Sequence, residues 1–162
     1  MGVARVEWTR ITRAGRRELP DRCREVCRSA DLILHAGDFV SAAFLDELRG
    51  LGPPVEAVHG NMDEPAVQST LPEQTVVEVG GARIGLVHDA GPADGRAARL
   101  SARFADCQAI VYGHTHVPEL FRDEGVWILN PGSPTERRRA PQHAMLVLEV
   151  GDGGISPQLV EL

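Results

Sequence analysis

Residues 31–38 read Asp-Leu-Ile-Leu-His-Ala-Gly-Asp (DLILHAGD), and SAAFLDELRGL follows over residues 41–51. Asp31–Ala36 is a short apolar strand that runs into a glycine and an aspartate. Ser41–Leu51 carries apolar residues at helical spacing behind Ser41, a side chain suited to capping the free amides of a first turn. It stops at a Gly-rich turn before Pro53-Pro54. Val55–His59 repeats the pattern, a strand ending in the loop Gly60-Asn61-Met62-Asp63. Strand, loop and helix alternating in this way predict a parallel α/β sheet, whose sites form outside the carboxyl ends of the strands.

Working outward, Leu19–Ser29 (LPDRCREVCRS) predicts a helix behind a proline, with Asp21 as its start signal. Downstream the style changes. Thr75–Val79 and Ala82–Val87 flank Gly80-Gly81 as a hairpin, a helix follows over about Gly95–Phe104, and Ala109–Tyr112 is a strand. Two further hairpins pair Glu119–Phe121 with Val126–Leu129 and Ala144–Val150 with Ile155–Val160. No repeat, low-complexity tract or linker interrupts the chain, so residues 1–162 read as one domain of two packed mixed sheets covered by helices. Val3–Thr12 is atypical. A strand buried on both faces should be nearly all apolar, and Arg5, Glu7 and Arg10 interrupt this one.

The net charge of −6 argues against a general binder of phosphate backbones. All 17 basic residues are arginine, but runs such as Arg137–Arg139 lack interleaved aromatics, so specific nucleic-acid binding is not expected. Cys23, Cys27 and Cys107 are too few and too irregular for a disulfide framework and read as reduced thiols. No stretch approaches the ~20 apolar residues of a membrane span, and the first residues lack the apolar centre of a signal peptide. The expectation is a cytoplasmic protein.

Four blocks carry the chemistry: HAGD (His35–Asp38), GNMD (Gly60–Asp63), LVHD (Leu86–Asp89) and GHTH (Gly113–His116). Read singly, each is modest. His88 alone suits a core or turn histidine, Asn61 a turn, and His35 a buried or supporting position. Together they set carboxylate, amide and imidazole ligands on loops after strands, a donor set for divalent metals that handle phosphate. Asp38 is the natural bridge between two ions, with Asn61 giving an amide oxygen and His88, His114 and His116 imidazole nitrogens. The i, i+2 spacing of His114 and His116 would face both rings to one side of a strand end. Each ligating imidazole should pass its other N–H to a partner, for which Asp63, Asp89 and backbone carbonyls are candidates.

These blocks, with NPGS at Asn130–Ser133, resemble the calcineurin-like metallophosphoesterase superfamily, and within it the small single-domain bacterial and archaeal phosphodiesterases. The resemblance covers Leu19 to the C-terminus. It implies a four-layer α/β/β/α sandwich of two mixed sheets with two divalent ions, manganese being expected and iron, nickel, cobalt or zinc compatible. By position, Asp38 would bridge the ions, Asn61, His88 and His114 would complete the second, and His116 would serve the first. A hydroxide between the ions would attack a small phosphodiester in line. NPGS would be a supporting loop, or simply a Pro-Gly turn. The fold also serves as an interaction scaffold, as in a retromer subunit that resembles these enzymes, and a degenerate site would suit that alternative.

Three departures from the family stand out. Met62 replaces a histidine that can assist the leaving group, so the acid must be a water or another residue such as His59. Asp89 follows His88 where many relatives have glycine. The first strand should end in Asp-x-His, and those positions hold Thr9 and Ile11. The first ion would then be held weakly. A local frame error (Trp8-Thr9 codons contain GAC in another frame), a misplaced start and genuine loss of ligands are the alternatives.

Overall fold

Strand residues alternate between two faces, and each sheet of this protein buries both. The computed structural model describes residues 2–7, 19–136, 138–151 and 154–162. Along the chain run β1 (Gly2–Glu7), α1 (Asp21–Arg28), β2 (Leu32–His35), α2 (Ala42–Arg49), β3 (Val55–Ala57), α3 (Pro65–Thr70), β4 (Gln74–Val79) and β5 (Ala82–Val87). There follow α4 (Arg96–Arg103), β6 (Ala109–Tyr112), β7 (Glu119–Asp123), β8 (Val126–Asn130), β9 (Ala144–Gly151) and β10 (Gly154–Glu161). Among the described residues the strands form two five-stranded sheets, ordered β10-β9-β1-β2-β3 and β4-β5-β6-β8-β7. Both are mixed. In the first, β1, β2 and β3 run parallel, and in the second β5, β6 and β8 do.

Three apolar clusters make the layers. Leu34, Leu146 and Leu148 of the first sheet meet Ile84, Leu86, Val111 and Leu129 of the second in a core between the sheets. The odd-numbered Ile33 and Met145 face the other way, against Cys23 and Cys27 of α1, Phe44, Leu45 and Leu48 of α2 and Val67 of α3. On the far side Val87, Ile110, Tyr112 and Ile128 pack under Leu100 of α4 and Phe104. The result is the expected four-layer α/β/β/α sandwich. Each fully buried aliphatic side chain contributes about 1.5–3 kcal/mol. The half-exposed Arg24–Glu47 ion pair at 2.6 Å contributes at most about 1 kcal/mol. Apolar burial therefore decides the architecture.

Local signals account for most element boundaries. The Ser41 hydroxyl accepts the Phe44 N–H at 3.3 Å and starts α2 one residue after the predicted cap. Cys23 and Cys27 share the buried face of α1, as their spacing implies. The region of β1 departs from expectation. Despite Arg5 and Glu7, β1 occupies the centre of its sheet, in register with β2 from Ala4↔Leu32 to Glu7↔His35 and with β9 from Gly2↔Val150 to Val6↔Leu146. Backbone pairing on both edges holds it there whatever its side-chain pattern. Thr9 and Ile11 lie outside the described residues. The helix α3, opened by Pro65 at its first turn, has too few apolar residues to announce itself by periodicity.

One close approach fixes α4. A Cβ added at Gly85 would stand 2.6 Å from Cγ of Phe104. Replacing Gly85 by Ala should therefore cost about 1–3 kcal/mol, seen as a lower urea midpoint at an unchanged slope. An unchanged midpoint would contradict this packing.

Candidate metal centre

The blocks singled out in the sequence meet at one edge of the sandwich. Asp38 follows β2 and Asn61 follows β3, both from the first sheet; His88 follows β5 and His114 follows β6, both from the second. Two glycines make the approach possible. A Cβ on Gly60 would fall 2.1 Å from Asp38 Oδ1, and one on Gly37, whose φ is +93°, would fall 2.7 Å from His88 Nδ1.

The donor atoms converge. His88 Nδ1 lies 2.8 Å from the Ala36 carbonyl oxygen, which can only accept, so the proton sits on Nδ1 and Nε2 presents a lone pair. That lone pair faces Asn61 Oδ1 at 3.0 Å and Asp38 Oδ1 at 3.5 Å. His114 Nδ1 closes the group, 3.2 Å from Asn61 Oδ1 and 3.3 Å from His88 Nε2. Four-coordinate ligands at about 2.0–2.1 Å from an ion stand about 3.3–3.4 Å apart, close to these separations. Electron-rich atoms gathered this closely suit a cation at their centre. Among the described residues no three His, Cys, Asp or Glu side chains gather for a metal by themselves. The amide of Asn61 is what completes this set.

The loops are strained and clamped. Asp38, His114 and His116 have φ near +65°, and the β-branched Val40 stands at +71°. Asp and His visit this region more readily than most residues, whereas a valine there is a true outlier and must be held. Asp63 holds it. Its Oδ1 accepts the Val40 N–H at 2.6 Å and its Oδ2 the Gly60 N–H at 2.7 Å, tying the loop after β2 to the loop after β3. Burial pushes the Asp63 carboxyl up, while the N–H groups of Gly60 and Val40 pull it back.

His116 does not follow the strand-end expectation. Both histidines lie past β6 in left-handed conformations, so strand alternation does not govern them. The His116 ring is fully buried and its Nδ1 donates to the Glu136 carbonyl at 2.7 Å. Backbone carbonyls of Ala36 and Glu136 orient His88 and His116, while Asp89 Oδ1 accepts the Gly91 N–H at 2.8 Å. The supporting role of NPGS is real. Buried Asn130 donates to the Gly113 carbonyl at 2.9 Å and to Thr115 Oγ1 at 3.1 Å, bracing the GHTH loop from β8. Ser133 Oγ accepts the N–H of Glu136 at 3.0 Å, which sets the carbonyl that His116 meets. Sequence motifs showed the NPGS block but not that Asn130 reaches back across 17 residues.

A cavity of about 420 Å³ opens beside the donors, lined by His59, Asn61, Gln68, Glu73, His88 and Asp89 among others. His59 thus stands on the same cavity as Asn61 and His88. Gln68 and Glu73 lie in segments without motif character, and nothing in the sequence marked them. Met62 is 43% exposed, its N–H donating to Asp38 Oδ1 at 2.9 Å. His35 is not at the cavity. It is fully buried, its ring stacked on Phe39 with centroids 3.7 Å apart, and its Nδ1 accepts the Gly37 N–H at 3.2 Å. It therefore braces the turn that carries Asp38.

Comparison with known proteins gives a consistent picture. Residues 15–153 match the calcineurin-like phosphoesterase superfamily domain. A probable metallophosphoesterase of Methanothermobacter thermautotrophicus is 36% identical over 132 residues, 80% of this chain and 76% of that one. A Thermotoga maritima protein solved by NMR in solution is 30% identical with a TM-score of 0.77 over 100% of both chains. A single-site mutant of Vps29 from Entamoeba histolytica shares the fold, with a TM-score of 0.78, 24% identity and 99% of each chain covered. No helix among the described residues is long and apolar enough to cross a membrane.

The buried imidazoles make an acid-sensitive site. Burial lowers His88, an effect its Asp38 neighbour partly opposes. Burial, with repulsion from His88, holds His35 down to about 3 against an ordinary 6.5. Because His35 binds a proton more weakly folded than unfolded, stability is intact above about pH 6.5 and drains as pH falls toward about 3. Replacing His35 by Phe should flatten urea stability across that window relative to the metal-free native chain. Parallel curves for the two would contradict the assignment.

Proposed function

Because this chain belongs to the calcineurin-like phosphoesterase superfamily, we propose that it is a metal-dependent phosphodiesterase acting on a small phosphodiester. The observation that carries this reading is the convergence of Asp38, Asn61, His88 and His114 beside an open cavity. Those four side chains would hold a divalent ion. When bound, such an ion activates water and neutralises charge on the phosphoryl group. Manganese, iron, nickel, cobalt and zinc all suit two imidazoles, an amide and a carboxylate.

The chain's own residues do the rest. The Ala36 carbonyl keeps the His88 lone pair aimed at the centre, and burial keeps that ring neutral near pH 7. The Gly60 and Gly37 backbones leave room that any side chain would fill. His59, half-buried on the cavity wall, can hand a proton to a departing alcohol, a task the thioether of Met62 cannot perform. A second reading, a degenerate site serving as an interaction scaffold, draws support from one observation: residues 8–17 contain no Asp, Glu, His or Cys. A stable stoichiometric partner captured by a metal-free, inactive preparation would favour it.

Hydrolysis of bis(p-nitrophenyl) phosphate, with the chain stripped by chelator and reloaded with manganese, tests the main reading. Asp38→Asn and His114→Ala should each lose at least about a hundredfold in kcat/KM, more than loss of an outer support. Wild-type rates in both would show the site to be misassigned. His59→Asn should spare p-nitrophenyl esters, whose leaving group needs no proton, and slow alkyl esters roughly a hundredfold. Equal losses on both would remove His59 from the acid role.

A further inference from the structure

We infer that this chain holds one divalent ion rather than a pair, an inference that rests on the metal-dependent reading above. Among the described residues one set of donors gathers. Asn61 Oδ1, His88 Nε2 and His114 Nδ1 form a closed triangle with sides of 3.0, 3.2 and 3.3 Å, and Asp38 Oδ1 lies 3.5 Å from its His88 corner. An ion over that triangle would meet two imidazoles, an amide and a carboxylate, with further positions left for water or phosphate on a metal that takes more than four ligands.

A second ion beside it would need a shell of its own. Asp38 could lend its other oxygen and His116 its Nε2, but the remaining charged or imidazole donors must come from elsewhere. Among the described residues no three His, Cys, Asp or Glu side chains gather to supply them. Strand β1 runs parallel to β2 and ends beside it at Glu7↔His35. Residues 8–18 read WTRITRAGRRE, with no imidazole or thiol, a single carboxylate at Glu18 and four arginines. Cationic side chains offer an ion repulsion rather than ligands.

The role of Asn61 follows. In a one-ion site its neutral oxygen is one of the four side-chain donors and one edge of every short donor contact except His88–Asp38 and His88–His114. Asn61 is exposed, so changing it leaves the core intact. Its replacement by Ala should weaken binding at least tenfold, while Asn61→Asp, which keeps the oxygen and adds charge, should bind at least as tightly as wild type.

Manganese supplied to the chelator-stripped full chain, followed by equilibrium dialysis and electron paramagnetic resonance, decides the matter. The expected result is one manganese per chain with the six-line spectrum of an isolated ion, loss of binding in Asn61→Ala and retention in Asn61→Asp. Two ions per chain, or the dense spectrum of a coupled pair, would overturn the inference, as would undiminished binding by Asn61→Ala. Circular dichroism of the metal-free variants separates lost binding from lost folding. One bound ion without hydrolysis would sink the phosphodiesterase reading and leave this one standing; two bound ions with hydrolysis would do the reverse.

Discussion

The carboxylate of Asp63 is the tie on which the site depends. One oxygen takes the Val40 N–H and the other the Gly60 N–H, so a single side chain fixes the loops after two neighbouring strands. Hydrogen bonds to an ionised acceptor are about twice as strong as neutral ones. They are needed here, because Val40 sits in a backbone region its branched side chain disfavours. With those loops fixed, Asp38 and Asn61 come to a common point. Further along, the Glu64 carboxylate accepts the Ala42 N–H at 3.3 Å and extends the same tie to the start of α2.

The remaining support comes from backbone carbonyls and a neutral amide side chain. Carbonyls of Ala36 and Glu136 orient His88 and His116, and Asn130 spans from β8 to the loop after β6. A carbonyl fixes a tautomer without adding charge near the ligands. That keeps the cluster short of negative charge of its own, with Asp38 as the only carboxylate in the convergence among the described residues.

Much of this was readable from residues alone, and what was not has identifiable causes. Strands such as Ala109–Tyr112 and the hairpin across Gly80-Gly81 follow from apolar runs and turn chemistry, and Ser41 announced its cap. The candidate ligand residues were visible because Asn and His on loops after strands are uncommon in that density. The split between His114 and His116 was not visible. Spacing of two implies a shared face only in extended backbone, and here both residues turn through positive φ. Asp63 was legible as a nearby carboxylate but not as a clamp, since its partners are amides 23 and 3 residues away. The centrality of β1 was hidden because pairing uses backbone groups that every residue carries.

His88 has a further consequence. It grows from the second sheet yet bonds the Ala36 carbonyl at the end of a strand of the first, and the four converging donors divide evenly between the sheets. An ion at that point would act as a rivet through the sandwich. Separation of the layers would break coordination, and release of the ion would free the two sheets to breathe. By linkage, metal occupancy and layer cohesion then become one equilibrium seen from two sides.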